Sequence, residues 1–337
     1  MEFKSIIRKF GSKNILVVGD VILDKYIQGS VSRISPEAPV PIVLEETCYS
    51  VPGGAANVAH NLAALGVNVS LAGRVGDDAE GALIKKELKK KGINTRAIFL
   101  DKNFPTILKT RVIAQNQQVV RIDREKADLT GSASVFKKLK TFIKNNINSY
   151  DAIIISDYGK GLITPDLIDF LSMMAKVQNK IITVDPKVGH FSYYTHVTAI
   201  TPNLKEAENA IRNIKVTNTS DKNLKVHVEN LRTEKDIELA GRELLKYLDL
   251  ECLLITLGEN GMRLFARGEK THAIKTKAIE VFDVSGAGDA VISVFTLALA
   301  VGVAKKKAAE LANIAAGIVV GKSGTAAVTK KELLAAV

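Results

Sequence analysis

The sequence predicts an α/β protein with a doubly wound, mostly parallel sheet and a small β-sheet lid. Short apolar runs alternate with helix-like stretches, and several runs are apolar throughout, as in strands covered on both faces. Two further strand-like segments lack crossover helices. The chain has 337 residues, 46% of them hydrophobic, which is sufficient for a large core.

The predicted elements alternate along the chain as a parallel sheet with right-handed crossovers requires. The predicted buried strands are residues 14–20, 67–73, 151–157, 180–186, 198–203 and 251–258. The predicted helices are residues 55–65, 80–91, 132–146, 165–177, 204–213 and 233–248.

Three segments interrupt this alternation. Residues 31–47 and 104–123 contain short strand-like runs, and we expect them to form the separate lid. Residues 214–232 are polar with weak periodicity, which predicts a surface insertion or mobile loop. Residues 1–337 are expected to form one domain around the sheet, because no internal repeat or low-complexity tract divides them.

Composition argues against several classes of protein. The net charge of +11 comes from lysine clusters on predicted solvated helix faces without interleaved aromatic residues, so no nucleic-acid partner is expected. The longest apolar run, 290–304, is shorter than the roughly 18 residues of a membrane span, and no signal peptide precedes it. The two cysteines, Cys48 and Cys252, have no metal-like spacing. We therefore expect a cytoplasmic protein without a membrane partner.

Unusual residues stand at the ends of the predicted strands, where an open parallel sheet binds its ligands. They are the polar residues Asp20, Asp157, Asp185 and Asn203, together with Gly258. A single such residue at a strand end is routine, whereas five on one predicted edge favour a binding site.

The stretch DVSGAGDAV, residues 283–291, places small residues immediately before a long apolar helix. Backbone N–H groups of Gly286, Ala287 and Gly288 at a helix start can form an anion hole. Asp289 in the first helical turn could accept a proton from an attacking hydroxyl. Alternatively, the glycines form an ordinary turn and Asp289 interacts with the helix dipole.

This stretch has a counterpart in GGAANVAHNLAALG, residues 53–66, a second glycine-led helix start. With both motifs, in this order, nearly the whole chain resembles the ribokinase-like (PfkB) carbohydrate kinases. The resemblance implies ATP and Mg²⁺ as cofactors, leaves a monovalent-cation requirement open, and implies ATP and a sugar phosphate as binding partners. Stretches including 19–43 and 114–123 are similar to the heptose 7-phosphate kinases of that family. This similarity implies phosphorylation of the anomeric (C1) hydroxyl of D-glycero-β-D-manno-heptose 7-phosphate, for lipopolysaccharide precursors.

The resemblance also implies roles for individual residues. The catalytic set is Asp289 as base with the anion hole of Gly286, Ala287 and Gly288. The nucleotide set is Asn203, Glu206, Thr256, Gly258, Gly261 and Ser285, of which Asn203 and Glu206 would organise Mg²⁺ through water. The sugar set is Asp20, Asp24, Gly53, Gly54 and Asn57. Candidates for the remote phosphate are Arg33, Lys109, Arg111 and Arg121, whereas Lys160 and Lys187 face either phosphate or solvent.

Alternatives stay open at this point. For Glu206 and Asn57, local roles at helix starts compete with ligand binding. The chemistry could act on another sugar, as in a ribokinase or phosphofructokinase, or be lost in a sugar sensor on the same fold. A dinucleotide oxidoreductase ranks far lower, because GDVILD rather than GxGxxG follows the first strand.

Three further expectations concern the rest of the chain. Exposed lid edges predict a homodimer. The sequence ends at Val337, so we expect the kinase without the nucleotidyltransferase domain often fused to related kinases. The five histidines share no spacing, and no role is assigned to them.

Overall fold

The computed structural model describes residues 2–126, 132–217, 224, 226, 230–277, 282–322, 324 and 326–337. The strands are β1 Asn14–Gly19, β2 Val21–Ile34, β3 Pro41–Gly54, β4 Asn68–Gly76, β5 Asn94–Asp101, β6 Ile107–Ala114, β7 Gln117–Arg124, β8 Ala152–Ser156, β9 Ile181–Asp185, β10 Ala199–Ile200, β11 Cys252–Thr256, β12 Met262–Ala266 and β13 His272–Ile274. The α-helices are α1 Phe3–Arg8, α2 Ala55–Ala64, α3 Ala79–Lys90, α4 Ala133–Asn146, α5 Pro165–Val177, α6 Leu204–Thr217, α7 Glu234–Tyr247, α8 Ala287–Ala300, α9 Lys305–Val320 and α10 Lys330–Ala335.

Among the described residues, nine strands form one large sheet in the order β13-β12-β11-β10-β9-β8-β1-β4-β5. Neighbours from β11 to β5 are parallel, and β12 and β13 add an antiparallel edge. The predicted fold class is confirmed. The carboxyl ends of the parallel strands meet at one edge, where the predicted polar residues lie.

Two apolar clusters cover the two faces of this sheet. Along β1, Ile15 and Val17 enter the cluster that includes α2, α8 and α9, whereas Leu16 and Val18 enter the cluster with α4 to α7. Burial on both faces explains why these strands are apolar without alternation. Within the described ranges, no helix combines the length and apolarity needed to cross a membrane.

The lid is a second sheet, whose described strands have the order β3-β2-β6-β7. Its β2–β6 pair is parallel, whereas the β2–β3 and β6–β7 pairs are antiparallel. It is larger than predicted from residues 31–47 and 104–123, because β2 begins directly after β1 and β3 continues to Gly54. Asp24 consequently lies within a lid strand. This connection brings the lid to the ligand-binding edge of the main sheet.

The described part of the segment 214–232 differs from the surface insertion or mobile loop that the sequence predicts. Residues 214–217 continue helix α6. Leu224, Val226 and Leu231 are buried in the cluster that covers α4 to α7. The remaining residues of the insertion, 218–223, 225 and 227–229, lie outside the described ranges.

Candidate active site

The GAGD stretch forms the start of α8. Gly286 has φ 79° and precedes the helix, a left-handed conformation that glycine adopts without steric cost. The N–H of Ala287 donates to the Val284 carbonyl at 3.3 Å. A Cβ added to Gly288 would meet no atom of the described residues within 4 Å. The helix start is therefore open to an anion, with the Gly286 and Gly288 amides as the principal donors.

Asp289 is buried in the first turn of α8, and each of its carboxylate oxygens accepts a hydrogen bond. Asn57 Nδ2 donates to Oδ2 at 2.6 Å, and the Tyr158 hydroxyl donates to Oδ1 at 3.1 Å. Burial raises the pKa of Asp289 to about 6, although both hydrogen bonds lower it. A carboxylate held in this way and ionised near neutral pH is suited to general-base catalysis.

A cavity of about 780 Å³ opens beside Asp289. It contains most of the predicted nucleotide and anion-hole residues, namely Asn203, Glu206, Thr256, Gly258, Gly261, Gly286, Ala287 and Gly288. Lys187, Asp157, Asp185 and Tyr158 also line it. Ser285 is exposed beside the cavity, and its N–H donates to Asp283. Residues far apart in sequence thus form one site large enough for a nucleotide.

Asn203 and Glu206 form a reciprocal pair at the start of α6. The Asn203 N–H donates to Glu206 Oε2 at 2.8 Å, and the Glu206 N–H donates to Asn203 Oδ1 at 2.9 Å. Burial raises the pKa of Glu206, whereas Asn203 and the charge of Lys187 lower it. Glu206 therefore caps the helix and also lines the cavity, so its capping role leaves the predicted ligand-binding role open.

Carboxylates in this cavity repel one another. Burial raises the pKa of Asp185 well above its ordinary value, and Asp289, Glu206 and Asp157 raise it further. A divalent cation would relieve this repulsion, and carboxylate and amide oxygens are the ligands that Mg²⁺ takes. Asp185, Glu206 and Asn203 therefore fit a hydrated Mg²⁺ ion.

Asp20 organises the loop after β8. Its Oδ2 accepts the N–H groups of Tyr158 and Lys160, both at 3.0 Å, and its Oδ1 accepts the N–H of Leu162 at 3.2 Å. Burial raises the pKa of Asp20 to about 6. Asp20 therefore positions Tyr158 beside Asp289.

The other predicted sugar-site residues lie where the lid joins the main sheet. Asp24 Oδ1 accepts from Arg111 at 2.5 Å. A Cβ on Gly53 would collide with the Asp24 carboxylate, so the glycine allows β3 to pass close to β2. Gly54, with φ 57°, leads directly into α2 and so to Asn57. The double glycine thus connects the lid strand beside Asp24 to the helix that carries Asn57, and both residues act on Asp289.

Three predicted basic residues share the lid face of Asp24. In strand register, Asp24 on β2 lies opposite Lys109 on β6, and Arg111 on β6 lies opposite Arg121 on β7. Partners in register point to the same side of a sheet, and alternate residues along a strand do so too. The Lys109 ammonium lies 5.8 Å from the centre of the Tyr158 ring. This face of the lid therefore looks towards Asp289.

Other basic candidates have different surroundings. Arg33 is exposed near the far end of β2. Lys160 forms an ion pair with Glu125 at 2.5 Å, which joins the end of β7 to the loop after β8. Arg121 also pairs with Asp123 on its own strand, at 2.9 Å.

Sequence reasoning missed two features of the site. Tyr158 touches the candidate base, and only its position one residue after a strand-end aspartate could have indicated this. His190 contacts the buried Asp157, although its sequence context gives no signal. Of the remaining histidines, His227 lies outside the described residues.

A buried carboxylate beside a glycine-rich helix start, on this lidded α/β fold, is the arrangement that an ATP-dependent sugar kinase requires. The family model described as pfkB family carbohydrate kinase matches residues 12–332, and the chain belongs to that family. The resemblance noted from the two motifs is thereby confirmed.

Curated relatives include two bacterial proteins named bifunctional protein HldE. The one from Desulfatibacillum aliphaticivorans is 45% identical over 97% of this chain, and the one from Geobacter metallireducens is 44% identical over 95%. The chain spans 63% and 62% of the lengths of these relatives.

Solved structures support the fold. The ribokinase of Arabidopsis thaliana, complexed with ribose and ATP, has a TM-score of 0.73 at 19% identity and covers 96% of this chain and 98% of its own. Phosphofructokinase-2 of Escherichia coli, complexed with potassium, has a TM-score of 0.75 at 17% identity. The match covers 95% of this chain and 97% of the phosphofructokinase chain.

Proposed function

We propose that this kinase transfers the γ-phosphate of ATP to the C1 hydroxyl of D-glycero-β-D-manno-heptose 7-phosphate, giving the 1,7-bisphosphate for lipopolysaccharide precursors. The observation that carries the proposal is the basic lid face of Lys109, Arg111 and Arg121, which looks towards Asp289. The similarity of residues 19–43 and 114–123 to heptose 7-phosphate kinases supports the same substrate. A sugar with C1 at Asp289 would present its remote phosphate to this face.

The mechanism follows from the positions of these groups. Asp289 accepts the proton of the C1 hydroxyl while the oxygen of that hydroxyl attacks the γ-phosphorus of ATP. The bond between the γ-phosphorus and the β–γ bridging oxygen breaks, and ADP leaves with this oxygen. Asn57 and Tyr158 hold the two oxygens of Asp289 in place. The Gly286 and Gly288 amides stabilise the charge on the transferred group. When bound, Mg²⁺ neutralises phosphate charge, and Asp185, Glu206 and Asn203 would hold it. The lid would exclude water from the reacting groups.

The direct test is a substrate panel. ATP is supplied with heptose 7-phosphate, heptose, ribose or fructose 6-phosphate, and ADP formation is measured. Heptose 7-phosphate should give the highest kcat/KM. Preference for ribose or fructose 6-phosphate would favour the alternative of another sugar kinase of this family. Sugar binding without turnover of any compound would favour a non-catalytic sensor.

The pH profile should depend on Tyr158. We expect kcat/KM of the wild type to fall as the pH drops through about 6, because protonated Asp289 cannot accept a proton. The Tyr158 hydrogen bond lowers the pKa of Asp289. In Tyr158→Phe the acidic limb should therefore move to higher pH. A limb that keeps its position in this variant would contradict the role of Tyr158.

The negative charge of Glu206 should strengthen the binding of Mg²⁺. Gln at this position can still form the cap with Asn203, so Glu206→Gln removes the charge and keeps the helix start. The Mg²⁺ concentration for half-maximal rate should rise by on the order of tenfold. Asp236→Asn, in the exposed capping box of α7, is the matched control. If the Mg²⁺ dependence is unchanged in Glu206→Gln, the role of Glu206 is limited to capping the start of α6.

A homodimer formed through the lids is the expected assembly. The edge strands β3 and β7 expose apolar side chains, among them Leu44 and Ile122, which are 65% and 58% exposed. A second copy would cover them. Light scattering should give a dimer mass for the wild type and a monomer mass for Leu44→Lys, whereas Leu83→Lys on α3 should stay dimeric. A monomeric wild type would refute this assembly. Cytoplasmic location stays a prediction.

A further inference from the structure

Asp157 is the centre of a buried polar network that the mechanism above does not use. It follows β8, and its carboxylate is fully buried. Its Oδ1 accepts the N–H of Gly159 at 2.8 Å. Its Oδ2 accepts the hydroxyl of Tyr194 at 2.6 Å and lies 2.7 Å from His190 Nδ1. Three separate points of the chain therefore meet at one carboxylate.

This network holds Lys187 from two sides. The Tyr194 hydroxyl accepts the N–H of Lys187 at 2.9 Å, which ties the Lys187 backbone to Asp157. The Lys187 stem lies over Gly159, where an added Cβ would be 3.2 Å from its Cγ and 3.3 Å from its Cε. Because Asp157 binds both Tyr194 and Gly159, it determines the position of the lysine backbone and the path of its side chain.

His190 is the basic side chain that contacts the buried Asp157 carboxylate. The hydrogen bond with Asp157 raises the pKa of His190, burial lowers it, Asp20 raises it and Lys187 lowers it. The imidazole is stacked on Tyr193 with 4.8 Å between ring centres. A buried charge is costly without a partner, and His190 is the basic group that contacts Asp157.

Lys187, held by this network, lines the cavity beside Asp289. It lines the same cavity as Gly286 and Gly288, and its charge lowers the pKa of Glu206. An ammonium group there lies close enough to the Glu206 carboxylate to interact with it, in the cavity that the anion hole also lines. Nucleotide phosphates are the anions that this kinase brings to such a site.

We propose that Asp157, Tyr194 and His190 are positioning residues that hold Lys187 against the phosphates of ATP. This inference rests on the placement of ATP in the cavity, and it does not depend on which sugar is phosphorylated. Loss of the Tyr194 hydroxyl would leave the Lys187 N–H without this acceptor and free the lysine to move.

The test is a titration of wild type, Lys187→Ala, Tyr194→Phe and the double variant with ATP and with adenosine. A charge-assisted phosphate contact corresponds to roughly tenfold or more in affinity, so Lys187→Ala should weaken ATP binding by about that factor. Tyr194→Phe should weaken ATP binding too. The double variant should bind ATP no more weakly than Lys187→Ala, because Tyr194 acts through Lys187. Adenosine affinity should stay unchanged in all variants.

Controls separate positioning from loss of structure. Tyr150→Phe alters another buried tyrosine, which precedes β8 at the opposite end, and should leave both affinities unchanged. If Tyr194→Phe does not fold, His190→Gln at a partly exposed site takes its place with the same expected pattern. Additive losses in the double variant, or equal losses for adenosine and ATP, would overturn the positioning network. A wild type that binds adenosine and not ATP would instead overturn the proposed phosphate site itself.

Discussion

Asp289→Asn is expected to lower kcat by roughly 10²-fold or more, in line with the contribution of a general base. The amide side chain has nearly the same shape, so its oxygen can still accept from Asn57 and its nitrogen can donate to the Tyr158 oxygen. ATP affinity should therefore be preserved while proton transfer is lost. Single-turnover rates and nucleotide titrations of the purified variant measure the two effects separately.

The competing explanation for Asp289 is that it only stabilises the helix dipole. Asp166 provides the matched control, because it occupies the first turn of α5 and is exposed, away from the cavity. Asp166→Asn should keep the wild-type kcat. Near-normal turnover in Asp289→Asn would remove Asp289 from the role of base.

Heptose 7-phosphate is expected to be a far better substrate than the same sugar without its phosphate. Each charge-assisted contact to a phosphate contributes about 1.5–3 kcal/mol, so one contact changes kcat/KM by roughly tenfold or more. Lys109 and Arg111 are the best-placed donors, since they flank Asp24 and Tyr158. If the remote phosphate also closes the lid, its absence should lower kcat as well as raise KM.

Variants of the lid identify the residues responsible. Lys109→Ala, Arg111→Ala and Arg121→Ala should each reduce the preference for the phosphorylated sugar. Lys25→Ala is the matched control, because Lys25 follows Asp24 on β2 and points to the opposite face of the lid. A preference that survives each variant would show that other residues bind the phosphate. Equal kcat/KM for the two sugars in the wild type would favour a kinase for a neutral sugar.

The sequence predicted the main sheet well because its strands are buried on both faces, as the successive residues Val17 and Val18 illustrate, each of which lies in a different apolar cluster. It did not predict β2, whose inner end is buried while its outer half carries Gly29, Ser30 and Arg33. No single periodicity spans such a strand, and its pairing with β3 and β6 is a tertiary property.

The candidate site shows the same division. Each glycine motif predicted the helix start that follows it. The hydrogen bond between Asn57 and Asp289, however, joins residues 232 positions apart, and neither motif predicts it. Only the fold brings Tyr158 to Asp289 and His190 to Asp157. The sequence therefore indicated the chemistry of the site, whereas its supporting contacts required the structure.

The proposed activity of this kinase is phosphoryl transfer to C1 of a sugar that already carries a phosphate. Its most direct test is phosphorus NMR of the product formed from ATP and heptose 7-phosphate. The proposed reaction gives a new phosphate signal that is coupled to the anomeric proton and equimolar with ADP. With Asp289→Asn this signal should grow at a rate lower by roughly 10²-fold or more. A new phosphate on another carbon, or ADP formation without a phosphorylated sugar product, would contradict it.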